Sequence, residues 1–414
     1  MTHLGRLTSE VDRHWPAEGF ARVPSWVYSD PAIFKREMEL FFAGETWNFV
    51  GLECEVPQPG TFKRAWIGTK PVIVIRDEHG DIVVLENRCA HRGPQICWQN
   101  RGEAKDFTCP YHQWNFDLRG NLVGLPFRRG ALKKGGMPAD FDLSKHNIKQ
   151  LRVALRGGAI WATFDETTAS FEDYCGAEVL AEVDAVFPGK PLVLLGYHRQ
   201  LIPANWKLYV ENLKDPYHAT LLHTFYITFG LWRADNRSEC HLTKGGMHSV
   251  MISHNEGKKV TDATSQMSRF RGDFEVLDKE TVTPRPEFNR GRVGGPWIFP
   301  SCTVGIQANS LKVRLVIPKS PTEFELLFTF FGYADDDADM TRHRVKQANL
   351  TGPAGLVSMD DSEMLTQCQI GANAFPESQT ILEMGDRDLE STDHMVTEVM
   401  IRGFYKYYRE AMGL

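Results

Sequence analysis

Between residues 47 and 164 the apolar positions come in short runs broken by turn residues. Pro71–Arg76 and Ile82–Leu85 are joined by Asp77-Glu78-His79-Gly80-Asp81, the punctuation of a hairpin. Leu151–Leu155 and Ala159–Phe164 repeat the arrangement around Gly157-Gly158. That texture predicts a compact all-β module over 46–165. Beyond it the pattern changes. Val193–Ile202 reads as a strand, and a helical stretch from Asn205 runs into Pro216. Val304–Ile317 alternates with period two, and Phe324–Tyr333 is a continuous apolar run suited to a buried strand. Asp393–Met412 sets Val396, Val399, Met400, Phe404 and Tyr407 at helical spacing. The chain is therefore expected to be α+β, with a mixed domain over 166–414 and residues 1–45 packing back onto it.

Composition narrows the classes. A chain of 414 residues exceeds one ordinary core, and 42% hydrophobic with 24% charged residues is globular rather than disordered. A net charge of −6 offers no footing for nucleic acid or an anionic membrane. Met1–Glu18 has no apolar core of a secretory signal, and no run of eighteen apolar residues occurs. A soluble cytoplasmic protein is the expectation. The eight cysteines are scattered, unlike a disulfide framework, so most should be buried thiols. Asp335-Asp336-Asp337 with Asp339 reads as a solvated acidic loop rather than a metal site.

Two cysteines depart from that default. Cys89-Ala90-His91 and Cys109-Pro110-Tyr111-His112 are two short clamps, each offering one thiolate and one imidazole. Such a set could hold zinc tetrahedrally, or a [2Fe–2S] cluster with the cysteines on one iron and the histidines on the other. Ligands only two residues apart on a tight loop weigh against zinc. Cys97, close by, has no matching partner and reads as a buried thiol.

A second constellation lies at Asp215-Pro216-Tyr217-His218 and His223. Five residues on a regular helix separate two side chains by about 140°, so His218 and His223 cannot share one face of it. Pro216 disrupts the turn where they sit.

With both clamps and Asp215-x-x-His218-x-x-x-x-His223 in view, the chain resembles the large, catalytic subunits of Rieske non-haem iron ring-hydroxylating oxygenases. The flanking Arg92-Gly93-Pro94 and Gln113-Trp114 resemble the Rieske loops of that family. Pro94 and Tyr111 stand where respiratory Rieske proteins carry a disulfide, which fits the oxygenase branch. The resemblance implies a [2Fe–2S] cluster on Cys89, His91, Cys109 and His112. It implies a mononuclear Fe(II) on His218, His223 and a carboxylate of Gly352–Asp361, with open positions for O2. Asp361 is the expected ligand and Asp360 the alternative. Asp215 is implied to bridge His218 to His112 of a neighbouring subunit in a ring-shaped trimer. The implied catalytic domain is helix-grip-like, with a central antiparallel sheet and helices. The chain lacks a Gly-x-Gly-x-x-Gly nicotinamide fingerprint, so NAD(P)H is expected to act through a reductase and a ferredoxin. A small β subunit in an α3β3 assembly is the implied partner.

The matching stretches Lys214–Phe225, Thr228–Asp235, Gln347–Gly355 and Thr392–Leu414 are most similar to the branch acting on benzoates and salicylate, and terephthalate dioxygenation is more distant. Arg314 corresponds to an arginine gripping the substrate carboxylate. Met395 stands where dicarboxylate-using relatives carry a second arginine. The expected reaction is 5-hydroxylation of salicylate to gentisate. The alternative is ring dioxygenation of anthranilate or a substituted benzoate, with Val210, Leu213, Thr220, Phe229 and Met247 as candidate pocket residues. A reading from another class, a Rieske electron carrier, needs only a β module of about 100 residues.

Overall fold

Period-two alternation divides the apolar residues of one early strand, Lys70–Arg76, between two cores. Val72 and Val74 join a core with Val84 and Ile160. Ile73 and Ile75 join another with Leu85, Trp114 and the thiols of Cys89 and Cys109. The computed structural model describes residues 14–255, 260–288, 291–352 and 356–414. Among them the first half forms three small antiparallel sheets. One orders Ile82–Glu86, Lys70–Arg76, Thr61–Ile67 and Arg101–Glu103. The second holds Arg152–Arg156, Ala159–Thr163 and Asn48–Leu52, and the third is built from 107–108, 115–116 and 122–124. The predicted hairpin turn is tied down by Asp77, which accepts from the amides of His79 and Asp81 at 2.9 Å each and pairs with Arg119.

The second half is built on a seven-stranded antiparallel sheet. Its strands are β1 (Leu192–Ile202), β2 (Arg237–Thr243), β3 (His248–His254), β4 (Arg292–Ile298), β5 (Cys302–Gln307), β6 (Ser310–Ser320) and β7 (Glu323–Tyr333), in the order β1-β7-β6-β5-β4-β3-β2. Helices α1 (Trp206–Lys214), α2 (His218–Leu222), α3 (Thr224–Thr228), α4 (Ala338–Thr351), α5 (Val357–Ala374) and α6 (Val399–Met412) accompany it. Trp206, Phe328, Phe404, Tyr405 and Tyr408 fill the core that includes α1 and α6. On β6, Leu311, Val313, Leu315 and Ile317 enter a separate core shared with Trp47, Phe49 and Trp161. The residues between them face the other way.

Residues 15–42 pack on the C-terminal helix. Trp15 lies against Tyr405 and Tyr408, and 22–24 pairs antiparallel with 379–381. Glu37 makes a fully buried ion pair with Lys207 at 2.6 Å, and Trp206 and Tyr408 also donate to it. These hydrogen bonds offset the desolvation of two charges.

Three expectations change. Val304–Ile317 is not one strand, because Ala308 takes a positive φ and turns the chain between β5 and β6. The apolar phase shifts by one residue between Ile306 and Leu311, and the tight hairpin sits at that shift. The C-terminal helix starts at Val399, and Val396 is exposed before it. The acidic loop is not simply solvated. Asp336 pairs with fully buried Arg344 at 2.7 Å and Asp337 caps α4 by accepting from Met340 N, whereas Asp335 and Asp339 are exposed and pair with Lys190 and Arg285. Among the described residues no helix is long and apolar enough to cross a membrane.

Candidate metal centres and substrate cavity

The two Cys–His loops fold alike. In the first, Cys89 N–H donates to Pro94 O at 2.8 Å and Gly93 N–H to Cys89 O at 3.0 Å. In the second, Cys109 N–H donates to Trp114 O at 2.8 Å and Gln113 N–H to Cys109 O at 2.9 Å. Both loops turn through a positive φ at the fourth residue after the cysteine, at Gly93 and Gln113. The thiols are buried, and burial together with the neighbouring Cys109 pushes the Cys89 thiol up. The rings of His91 and His112 lie 4.6 Å apart, and Trp114 stacks on His91 at 4.8 Å. His91 Nδ1 is buried without a hydrogen-bond partner. An unsatisfied buried polar atom costs about 1–3 kcal/mol, a cost that a metal bond removes. Two facing thiols, two adjacent imidazoles and an orphaned nitrogen fit an iron–sulfur cluster. Tyr111 lies over His112 at 3.7 Å and is exposed, so the histidine end of the site opens outward.

The second centre grows from a helix that breaks twice. Asn205 caps α1 by accepting from Lys207 N–H, and α1 ends at Lys214 with Asp215 as its C-cap. Past Pro216 the chain forms α2, and His223 sits in extended conformation between α2 and α3. That second interruption lets two histidines five residues apart converge. His218, His223 and Asp361 each offer one ligand atom, all within 4.8 Å of one another, and could hold a metal ion. Asp361 Oδ1 is 3.4 Å from His218 Nε2 and 3.2 Å from His223 Nε2.

The other nitrogen of each ring is held by the chain. His218 Nδ1 donates to the Asp215 carbonyl, with the Asp215 carboxylate 3.7 Å away. His223 Nδ1 lies 3.3 Å from Asp360 Oδ2. Such partners fix the tautomer and aim Nε2 at the common point. Burial opposes a charged imidazole, yet hydrogen bonds to Asp215 and Asp361 outweigh it and push His218 up to about 10. Burial likewise opposes the Asp361 carboxylate, but the two histidines hold it well below the usual range. Asp361 and Asp360 thus occupy different positions: one faces both Nε2 atoms, the other backs His223.

A cavity opens on this cluster, lined by Leu213, Trp232, Gly294, Gly305, Lys312 and Arg314 among others. Arg314 lies close enough to Tyr209 to act on its hydroxyl, and its Nε is buried without an acceptor. Of the candidate pocket residues, Leu213 lines the cavity, whereas Val210 belongs to the core. Thr220, Phe229 and Met247 are not part of its lining. Thr220 is buried within α2, Phe229 packs on Phe225 and Phe274, and Met247 stands just before β3. Met395 is fully buried beside Ala219, Tyr226 and Trp232. Sequence reasoning missed Asn212, which donates to Asp361 Oδ1 at 3.0 Å and lies 3.3 Å from His218 Nε2. Its signal was its place one turn before Asp215. It also missed Lys312, which alternates with Arg314.

Comparisons with known proteins bear on both halves. The Rieske [2Fe-2S] domain matches residues 46–135, and the ring hydroxylating alpha subunit catalytic domain matches 180–414. Together these domains imply iron cofactors. The large oxygenase component of salicylate 5-hydroxylase from a Ralstonia species is 46% identical, covering 97% of each chain. The large subunit of anthranilate 1,2-dioxygenase from Burkholderia cepacia is 41% identical, covering 97% of this chain and 96% of that one. Naphthalene 1,2-dioxygenase from Rhodococcus sp., solved with indole bound, superposes with a TM-score of 0.78 at 26% identity over 94% of each chain. With a catalytic-domain match over more than half its length and such relatives along nearly all of it, the chain belongs to the ring-hydroxylating oxygenases, as a large subunit carrying a Rieske domain.

Proposed function

We propose that the chain is the oxygenase component that converts salicylate to gentisate, with O2 as co-substrate and NAD(P)H as the distant electron source. The observation that carries this reading is Arg314, which lines the cavity on the His218–His223–Asp361 cluster and has a buried guanidinium Nε without a protein acceptor. A planar guanidinium grips both oxygens of a carboxylate. The relatives named for salicylate and anthranilate both act on aromatic carboxylates, in keeping with such a partner. Buried Met395 supplies no second arginine to the site.

In this reading Cys89, His91, Cys109 and His112 hold a [2Fe–2S] cluster, and His218, His223 and Asp361 hold a mononuclear iron. When bound, these groups supply one-electron transfer and O2 activation. The chain's own residues do the rest. Asp360 and the Asp215 carbonyl orient the two imidazoles, and Asn212 holds Asp361. Arg314 places the ring so that the carbon para to the hydroxyl, already activated by it, faces the iron ligands. The Asp215 carboxylate, part-exposed beside His218, is the bridge to His112 of a neighbouring copy. A small β subunit, a ferredoxin and a reductase complete the system as an α3β3 oxygenase with its electron supply.

The net change is salicylate, O2, two electrons and two protons giving gentisate and water. Incubating the reconstituted system with salicylate and with anthranilate, and identifying the products, tests it. Gentisate from salicylate is the expected result. No gentisate, with turnover of anthranilate to a ring-dihydroxylated product, would move the chain to the dioxygenase reading that its 41% identical relative represents.

A further inference from the structure

Four lysines of the described chain are buried, two of them paired with a carboxylate and one, Lys214, set between a hydroxyl and two aromatic rings. Lys63 pairs with Glu55 at 2.7 Å, and Lys207 pairs with Glu37 at 2.6 Å. Lys214 donates to Ser249 Oγ at 2.7 Å and lies near the rings of Trp297 and Phe404. The fourth is Lys312, only 2% exposed. Its ammonium donates to Gln307 Oε1 at 3.0 Å, and among the described residues it has no carboxylate within ion-pairing distance. An ammonium taken out of water with a single neutral acceptor costs several kcal/mol. Unlike Lys214, Lys312 lines the cavity, where a ligand oxygen can offset that cost.

Its surroundings say what. Lys312 and Arg314 are two residues apart on β6, so both leave the same face of the sheet, and both line the cavity over the His218–His223–Asp361 cluster. Directly opposite Lys312 on β5 stands Gly305, and Gly294 on β4 lines the same wall. A Cβ on Gly305 would meet only a backbone oxygen at 3.5 Å, so position 305 leaves the space opposite Lys312 open, and Gln307 is the β5 side chain that meets its ammonium. The cavity therefore has a two-cation wall. One member is a planar fork suited to a carboxylate, the other a point donor suited to a single oxygen.

We propose that Lys312 is a specificity-determining residue that binds the oxygen ortho to the substrate carboxylate, so that the site selects 2-hydroxybenzoates over benzoates lacking that oxygen. This rests on the reading that the substrate is an aromatic carboxylate held by Arg314. The two contacts divide the ligand: Arg314 takes the carboxylate that all benzoates share, and Lys312 takes the group that distinguishes salicylate. Burial, with Arg314 adding to it, holds the Lys312 ammonium well below its ordinary value, so an arriving oxygen partner relieves a standing penalty. Gln307 would orient the amine between turnovers.

Dissociation constants of salicylate, benzoate and phenol for the iron-loaded oxygenase, measured by calorimetry in wild type, Lys312→Met and Arg314→Leu, test it. The wild type should bind salicylate at least about tenfold more tightly than benzoate, which one good hydrogen bond to a charged group supplies. Lys312→Met should abolish that preference by weakening salicylate alone, while Arg314→Leu should weaken both carboxylates. Thermal unfolding of Lys312→Met should be unchanged or shifted upward, since a buried ammonium has been replaced by an apolar chain of similar length. An unchanged salicylate-to-benzoate ratio in Lys312→Met, or a marked fall in its Tm, overturns the proposal and leaves the carboxylate reading intact. Wild type binding phenol but neither carboxylate would overturn the carboxylate reading itself, and this inference with it.

Discussion

In the first half of the chain, four candidate ligands sit on two loops that fold alike, each closed by its own pair of backbone hydrogen bonds within six residues. In the second half, three candidate ligands come from a twice-broken helix and from α5, and contacts such as His223–Asp360 join residues 137 apart in sequence. The histidines differ as well. His91 leaves a buried nitrogen without a protein partner, whereas His218 and His223 each have one nitrogen held by an aspartate residue. The first centre is a local device that needs only its own loops and the core beneath them. The second exists only when α1, α2 and α5 are packed together.

That contrast predicts where damage spreads. Asp361→Ala should remove the third iron and turnover while the paramagnetic resonance signal of the reduced Rieske cluster survives, because nothing in the Cys–His loops depends on α5. Asp360→Ala leaves the three facing atoms in place and loosens only His223. Its cost should be about 10–100-fold in iron affinity or activity, the usual effect of losing a group that orients a ligand. The measurement is iron per chain beside the resonance spectrum. Iron and activity retained in Asp361→Ala but lost in Asp360→Ala would reverse the assignment of the two carboxylates.

Asp215 tests whether the iron centre of one copy communicates with the cluster of a neighbouring copy as proposed. The Asp215 carbonyl, not its carboxylate, makes the closer contact to His218 Nδ1, and the side chain remains part-exposed. Asp215→Asn should therefore keep three irons and slow reoxidation of the reduced cluster in a single turnover by about 10–100-fold. Reoxidation at the wild-type rate would make Asp215 a helix cap and nothing more.

The same contrast decides what could be read from the sequence. The Rieske loops were legible because each ligand pair lies within four residues, and the hairpins around them carry their own turn signals. His218 and His223 were legible as a pair, but only Pro216 hinted at a broken helix, and the break at His223 has no proline or glycine to mark it. The choice between Asp360 and Asp361 depends on how α5 is rotated against α1, which no local pattern encodes. The hairpin at Ala308 carries no glycine or proline, and its one trace in the pattern is the phase shift between Ile306 and Leu311. Asp336 was taken for solvated surface because its partner Arg344, like Glu287 beyond it, is buried by tertiary packing. Lys312 and Arg314 were visible as charges on an otherwise apolar strand. Only the sheet showed that both face the cavity.

A smaller effect should separate the two halves in mild acid. His248 on β3 is fully buried, accepts from Phe299 N–H through Nδ1 at 3.1 Å and donates through Nε2 to Tyr174 O at 2.9 Å. Burial, reinforced by Lys214 and Lys244, holds it down to about 4, against an ordinary value near 6.5. The unfolded chain therefore takes up a proton at His248 that the folded chain refuses. This contribution to stability is complete above about pH 6.5 and is lost as the pH falls toward 4. Between pH 7.5 and 5.5 the loss is about 1 kcal/mol. No histidine described within 46–165 is buried to the same degree. Acid should therefore loosen the catalytic half first, with the visible absorbance of the Rieske cluster outlasting the near-ultraviolet dichroism of the catalytic core. Replacing His248 by Gln, which can both donate and accept but does not titrate, should flatten the fall of Tm across this range by a few degrees. An unchanged pH slope in His248→Gln, or cluster absorbance lost before the dichroism, would show that the acid-sensitive element lies elsewhere.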